Sequence, residues 1–96
     1  MSQKGMNITE VESYLQTLST GAKDLDQLTQ DVKDLQAPLQ DCWEGDEAEA
    51  CVNFIADISS KMSQMSEEVM KIHKWVEDVK TSYEEAATSG KNAYTV

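Results

Sequence analysis

Two cysteines and one histidine are the side chains of this sequence best suited to covalent or metal chemistry. Cys42 and Cys51 lie on either side of a glycine-containing turn, where a disulfide would close a loop of about ten residues and stabilise less than a longer loop. Cys51 also falls on an apolar helical stripe, where a free cysteine acts as a small hydrophobic residue. Both states of the pair stay open. His73 follows Cys51 by more than twenty residues, so a shared metal site is not expected.

The remaining polar residues give no sign of catalysis. Five acidic residues lie near the turn: Asp41, Glu44, Asp46, Glu47 and Glu49. Their order does not match a calcium-binding loop, and such a cluster is typical of a solvated helix start. The sequence holds no Gly-x-Ser-x-Gly motif and no phosphate loop, and a narrow bundle of helices has no sizeable pocket. We therefore expect neither an enzyme nor a bound metal or cofactor.

Composition and charge narrow the class of partner. The 96 residues suffice for one domain, 1–96, and their formal net charge is −10, with eight lysines and no arginine. Nucleic acid and anionic membrane surfaces would repel such a chain. No apolar run approaches the roughly 18 residues of a membrane span, and residues 1–5 carry no apolar leader. We expect no stable membrane insertion, and any export would need a route without a cleaved signal peptide.

Two long heptad patterns are the elements that must position any functional residue. The first predicts a helix over about residues 8–40. Its three-four spacing is irregular once, at the step after Leu25, and a kink or end is expected at Pro38, which lacks an N–H donor. Its apolar positions are Ile8, Val11, Leu15, Leu18, Ala22, Leu25, Leu28, Val32, Leu35 and Leu39.

The second pattern predicts a helix over about residues 46–88 and a flexible tail over 89–96. Asp46, with Glu49 three residues later, is typical of a capped helix start. The apolar positions alternate at three and four residues: Ala48, Cys51, Ile55, Ile58, Met62, Met65, Val69, Ile72, Val76, Val79, Tyr83 and Ala86. The part that we expect to bind a partner is Ile55, Ile58, Met62, Met65, Val69, Ile72, Val76 and Val79. Phe54 and Trp75 flank it, either as anchors for a partner or as a widening of the core.

Between the two patterns lies the turn Trp43-Glu44-Gly45, at about residues 41–45. Glycine permits a left-handed backbone there, and tryptophan offers a large apolar surface. A short turn makes the helices antiparallel, so the fold class is all-α, a two-helix hairpin. A lone hairpin would leave much of both stripes in water, because each helix has only one neighbour. We therefore expect two hairpins to pair into a four-helix bundle.

The length, the central Trp-x-Gly turn and the two heptad patterns together resemble the WXG proteins of type VII secretion systems. Trp43 and Gly45 match the turn motif of that family. The Tyr-x-x-x-Asp/Glu form of its export signal is absent, because Ala87 follows Tyr83 at the fourth position. A looser form fits Lys80, Glu84, Ala87 and Lys91, which we take as the candidate export signal.

The resemblance implies a folded protein made in the cytoplasm and secreted without a cleaved signal peptide, in solution or at the cell surface. It would act as a secreted substrate or as a co-exported partner of a larger type VII-secreted toxin, in contact with the secretion machinery. Its bundle partner is itself or a related hairpin, and the charge of −10 slightly favours a less acidic partner. The alternative is a cytosolic adaptor or chaperone that binds a partner helix through its stripe.

Overall fold

Three helices make up the protein in a computed structural model that describes the backbone of residues 5–94 and the side chains of residues 5–87. They are α1 (Ile8–Lys33), α2 (Gln36–Cys42) and α3 (Asp46–Tyr94), and the described residues contain no strand. Both α1 and α2 pack along α3 in an elongated hairpin of 77 × 22 × 16 Å. The all-α class and the packing of two long helices are confirmed.

The first predicted helix is broken into two. Asn7 caps α1, and its side-chain oxygen accepts a hydrogen bond from the backbone N–H of Glu10 at 3.1 Å. The helix then ends at Lys33, earlier than the expected end near residue 40. Pro38 explains the break, because it cannot donate to the carbonyl of Asp34 and its ring would clash there. It lies instead in the first turn of α2, where no backbone donor is needed.

The turn between α2 and α3 depends on Gly45. Trp43 ends α2 in an extended conformation, and Gly45 has a φ of +109°, in the region that favours glycine. Helix α3 begins at Asp46, where the sequence predicts it, and the N–H of Glu49 donates to the carbonyl of Gly45 at 3.1 Å. The chain therefore reverses within three residues, 43–45.

The end of α3 differs from the sequence prediction. Its backbone stays helical to Tyr94, beyond the end near residue 88 that the sequence predicts, and residues 95–96 lie outside the described part. A single glycine, Gly90, costs a helix only about 1 kcal/mol, and no proline follows it. The helix therefore continues through that position.

The seam between α1 and α3 consists mostly of small residues. Its buried members recur every seven residues, Leu15, Ala22 and Thr29 on α1 and Val52, Ser59 and Ser66 on α3. Across this seam the Ser66 hydroxyl donates to the carbonyl of Ala22 at 3.2 Å. Next to it, the amide of Gln36 in α2 donates to the carbonyl of Val52 at 3.0 Å. Small side chains bring the helices close but bury little apolar surface. Most of the large apolar residues therefore lie outside the seam.

Candidate functional site

One side of the hairpin presents the large apolar residues that the seam does not bury. On α3, Met65, Ile72 and Val79 are 44–57% exposed. Leu28 on α1 and Leu35, just before α2, are each 52% exposed. Each of these residues belongs to one of the two predicted apolar stripes. Beside them lie stripe residues that are half-buried in the single hairpin: Leu18, Leu25 and Val32 on α1, and Ile55, Ile58, Met62, Val69 and Val76 on α3.

These residues form a single surface across both helices. Leu28 precedes the seam residue Thr29 by one position, and Met65 precedes the seam residue Ser66 by one position. Seen along the hairpin axis, two antiparallel helices wind in opposite senses. Residues that precede a seam residue by one position therefore point to the same side of the hairpin on both helices. We call this surface the apolar face, and its most exposed members are Tyr14, Leu28, Leu35, Met65, Ile72 and Val79.

The opposite side of the hairpin is polar. Two shallow clefts run along it, one lined mainly by charged and polar side chains that include Glu12, His73 and Glu77, and the other by Lys33 and three serines. Met70 is the large apolar side chain of this side, at 40% exposure. Among the described residues, no group of three or more His, Cys, Asp or Glu side chains is placed to hold a metal ion. The two sides therefore differ sharply in polarity.

The two flanking aromatics lie at the border of the apolar face. Phe54 and Trp75 are 63% and 69% exposed, so the hairpin itself does not use them as core. Trp75 lines a shallow apolar depression of about 200 Å³ together with Met6, Val76 and Val79. Met6 comes from the segment before α1, where no heptad pattern marked it. The depression extends the apolar face to the open end of the hairpin.

The turn residues lie at the closed end, in contact with solvent. Trp43 is 40% exposed and Gly45 is exposed. The thiols of Cys42 and Cys51 are both free, the first exposed and the second half-buried. An aromatic ring with this exposure contributes less to stability than a buried one. Trp43 is therefore available for contact with another molecule.

The candidate export-signal residues lie near the open end. The Lys80 ammonium is 3.7 Å from a carboxylate oxygen of Glu12 on α1 and 3.5 Å from one of Glu84 on α3, and the Lys80 side chain is only 17% exposed. Ala87 is exposed, and the side chain of Lys91 lies outside the described part. The contact with Glu12 was not predicted, because heptad spacing says nothing about which charges meet across the seam.

Comparison with known proteins matches the chain to a protein family. The family model described as WXG100, proteins of 100 residues with WXG, matches residues 5–88, a span that contains all of α1, α2 and the Trp-x-Gly turn. No curated protein and no solved structure matches the chain. In the described part of the chain, none of the helices has the length and apolar character needed to cross a membrane.

Proposed function

The chain belongs to the WXG100 family, small helical proteins that type VII systems secrete, and we propose that it is exported folded as one half of a four-helix bundle. In this role it is either a secreted substrate or the co-exported partner of a larger toxin. The membership confirms the resemblance that the length, the turn and the heptads indicate. The bundle and the role are our proposal.

The exposed apolar face is the observation that carries the proposal. A soluble monomer rarely leaves a continuous apolar surface in water, and such a surface usually marks an interaction site. Here it runs along both α1 and α3, while the seam of the hairpin is built from residues such as Ala22, Ser59 and Ser66. Two hairpins packed through this face would bury it as the core of a four-helix bundle.

The open end of the hairpin supports presentation to the secretion machinery. Lys80 lies opposite Glu12, and Gly5 lies beside the ring of Tyr83, so α3 passes the start of α1 near these residues. The part of α3 from Glu84 onward therefore extends past the hairpin. We propose that a receptor reads this extension, including Glu84 and Ala87, without unfolding the bundle.

The decisive test is the location of the chain and its dependence on the secretion system. We expect the intact, uncleaved chain in the culture medium of cells with a functional type VII ATPase, and only inside cells in which that ATPase is inactivated. Mass spectrometry of the secreted chain checks that nothing has been removed. A chain that stays in the cytoplasm of both strains would instead support the adaptor or chaperone alternative and overturn the proposal.

Replacement of Trp43 by alanine separates recognition from stability at the turn. Because Trp43 is 40% exposed, we expect Trp43→Ala to cost less than the about 3–5 kcal/mol typical of a buried aromatic. The melting temperature should stay within a few degrees, whereas export should fall severalfold. Circular dichroism and immunoblots of cell and medium fractions measure the two effects. A large loss of stability would show that Trp43 is a structural residue.

A further inference from the structure

The outer edge of α1, next to the apolar face, is acidic. Glu10, Asp24 and Asp31 lie on one line of the helix, and all three are exposed. Each lies three or four residues from Tyr14 or Leu28, which places it beside the exposed apolar residues of α1. We call these three residues the acidic edge. A helix that covers the apolar face must pass alongside them.

The described part of the hairpin does not neutralise the acidic edge. Among the described residues, the ion pairs involve Lys71, Lys74 and Lys80, all on α3. Asp31 accepts a hydrogen bond from the Gln27 amide at 3.0 Å, and that neutral donor leaves the charge in place. Burial of an interface beside uncompensated carboxylates is unfavourable unless the other side supplies positive charge. The edge thus selects among possible partners by charge.

From this arrangement we propose that the bundle partner is a different chain, a helical hairpin with Lys or Arg side chains opposite the acidic edge. The inference rests on the four-helix pairing of the proposed function and adds the chemistry of the partner. Apolar contacts through Met65, Ile72 and their neighbours supply the affinity, and charge complementarity along α1 supplies the choice of partner.

A second copy of this chain matches the acidic edge poorly. Two identical hairpins that face each other are related by a twofold axis, which permits two arrangements. With the turns at opposite ends, α1 of one copy lies on α1 of the other, and acids meet acids. With the turns at the same end, α1 lies on α3 of the other copy, whose edge carries Lys61 and Glu68, with charges that cancel. Neither arrangement neutralises the edge.

A charge-reversed form of the chain serves as the probe for the proposed partner. The variant Glu10→Lys/Asp24→Lys/Asp31→Lys carries a basic edge on the same apolar face. The matched control is Asp26→Lys/Glu49→Lys/Glu67→Lys, which changes the net charge by the same amount at exposed acids away from the acidic edge. Each of the two triple variants replaces one acid in the first turn of a helix. If the first-turn changes prevent folding, the double variants Asp24→Lys/Asp31→Lys and Asp26→Lys/Glu67→Lys replace them.

Wild-type chain labelled with ¹⁵N is mixed with each variant, and native mass spectrometry and sedimentation equilibrium give the dissociation constants. We expect the pair with the edge-reversed variant to be about tenfold tighter than the wild-type self-pair at roughly 50 mM salt. Raising the salt should weaken that pair and tighten the self-pair, because salt screens attraction and repulsion alike. The control variant should change affinity much less.

Three other results would overturn the inference. A wild-type self-pair as tight as the mixed pair would make a second copy the occupant of the apolar face, and the four-helix pairing would stand. Equal gains from the edge variant and the control variant would assign the effect to net charge rather than to the edge. Absence of pairing in every mixture, with all chains helical by circular dichroism, would overturn the four-helix pairing as well.

Discussion

Met65→Glu should abolish the pairing of this hairpin. Met65 is 57% exposed in the single hairpin, so a carboxylate there stays in water and costs the isolated chain little. Methionine and glutamate also have similar helix propensities. In the four-helix bundle the same carboxylate would be buried without a partner, a cost of several kcal/mol. We expect the dissociation constant to rise by about a hundredfold or more.

Met70→Glu is the matched control, because it makes the same chemical change five residues along the same helix. Met70 is 40% exposed on the polar side of the hairpin. Its replacement should leave pairing within about twofold of wild type. Sedimentation equilibrium of each variant mixed with the edge-reversed chain Glu10→Lys/Asp24→Lys/Asp31→Lys, at the same chain concentrations, measures the pairing. Equal losses in the two variants would show that the apolar face is not the pairing surface.

The thermal stability of the two variants should separate in the same way. A partner that binds only the folded hairpin stabilises it by mass action, so loss of pairing lowers the melting temperature. The stability of the hairpin should depend strongly on pairing, because the small seam residues bury little apolar surface within a single hairpin. We expect Met65→Glu to unfold at a lower temperature than Met70→Glu, and export to fall only for Met65→Glu. Unchanged export of an unpaired Met65→Glu chain would separate secretion from pairing.

Gly45→Val should strongly destabilise the turn. Gly45 has a φ of +109°, and a Cβ built there meets no atom within 4 Å. The penalty is therefore conformational rather than a clash. A β-branched residue held in this region costs on the order of 1–3 kcal/mol. Urea unfolding at a fixed chain concentration should show a lower midpoint with little change of slope.

The neighbouring residue provides the control for Gly45→Val. Glu44 is exposed, and no non-glycine residue in the described part has a positive φ. Glu44→Val therefore introduces the same side chain into the same turn without backbone strain, and its effect should stay within about 0.5 kcal/mol. If both variants lose the same stability, the cost comes from valine in the turn and not from the backbone of Gly45.

The local features of the fold could be predicted because each has a short-range cause. The start of α3 at Asp46 follows from three acids in its first turn, which favour a helix N-terminus, directly after a glycine. The positive φ of Gly45 follows from the absence of a Cβ. Pro38 predicted an interruption, although not that the break would begin at Lys33. The continuation of α3 to Tyr94 was missed, because a weak apolar pattern does not by itself end a helix.

The sequence by itself determined the two amphipathic helices, their antiparallel turn and the family, because periodicity, capping and the Trp-x-Gly motif are properties of neighbouring residues. Only the tertiary structure decided which part of each stripe the hairpin buries. The helices meet along Ala22 of the first stripe, but on α3 they meet along Ser59 and Ser66, each one position after a stripe residue, since small side chains permit the closest approach. This choice leaves Leu28, Met65 and their neighbours exposed beside an acidic edge. A heptad pattern cannot show which apolar residues the hairpin buries and which a partner covers, because both kinds have the same spacing in the sequence.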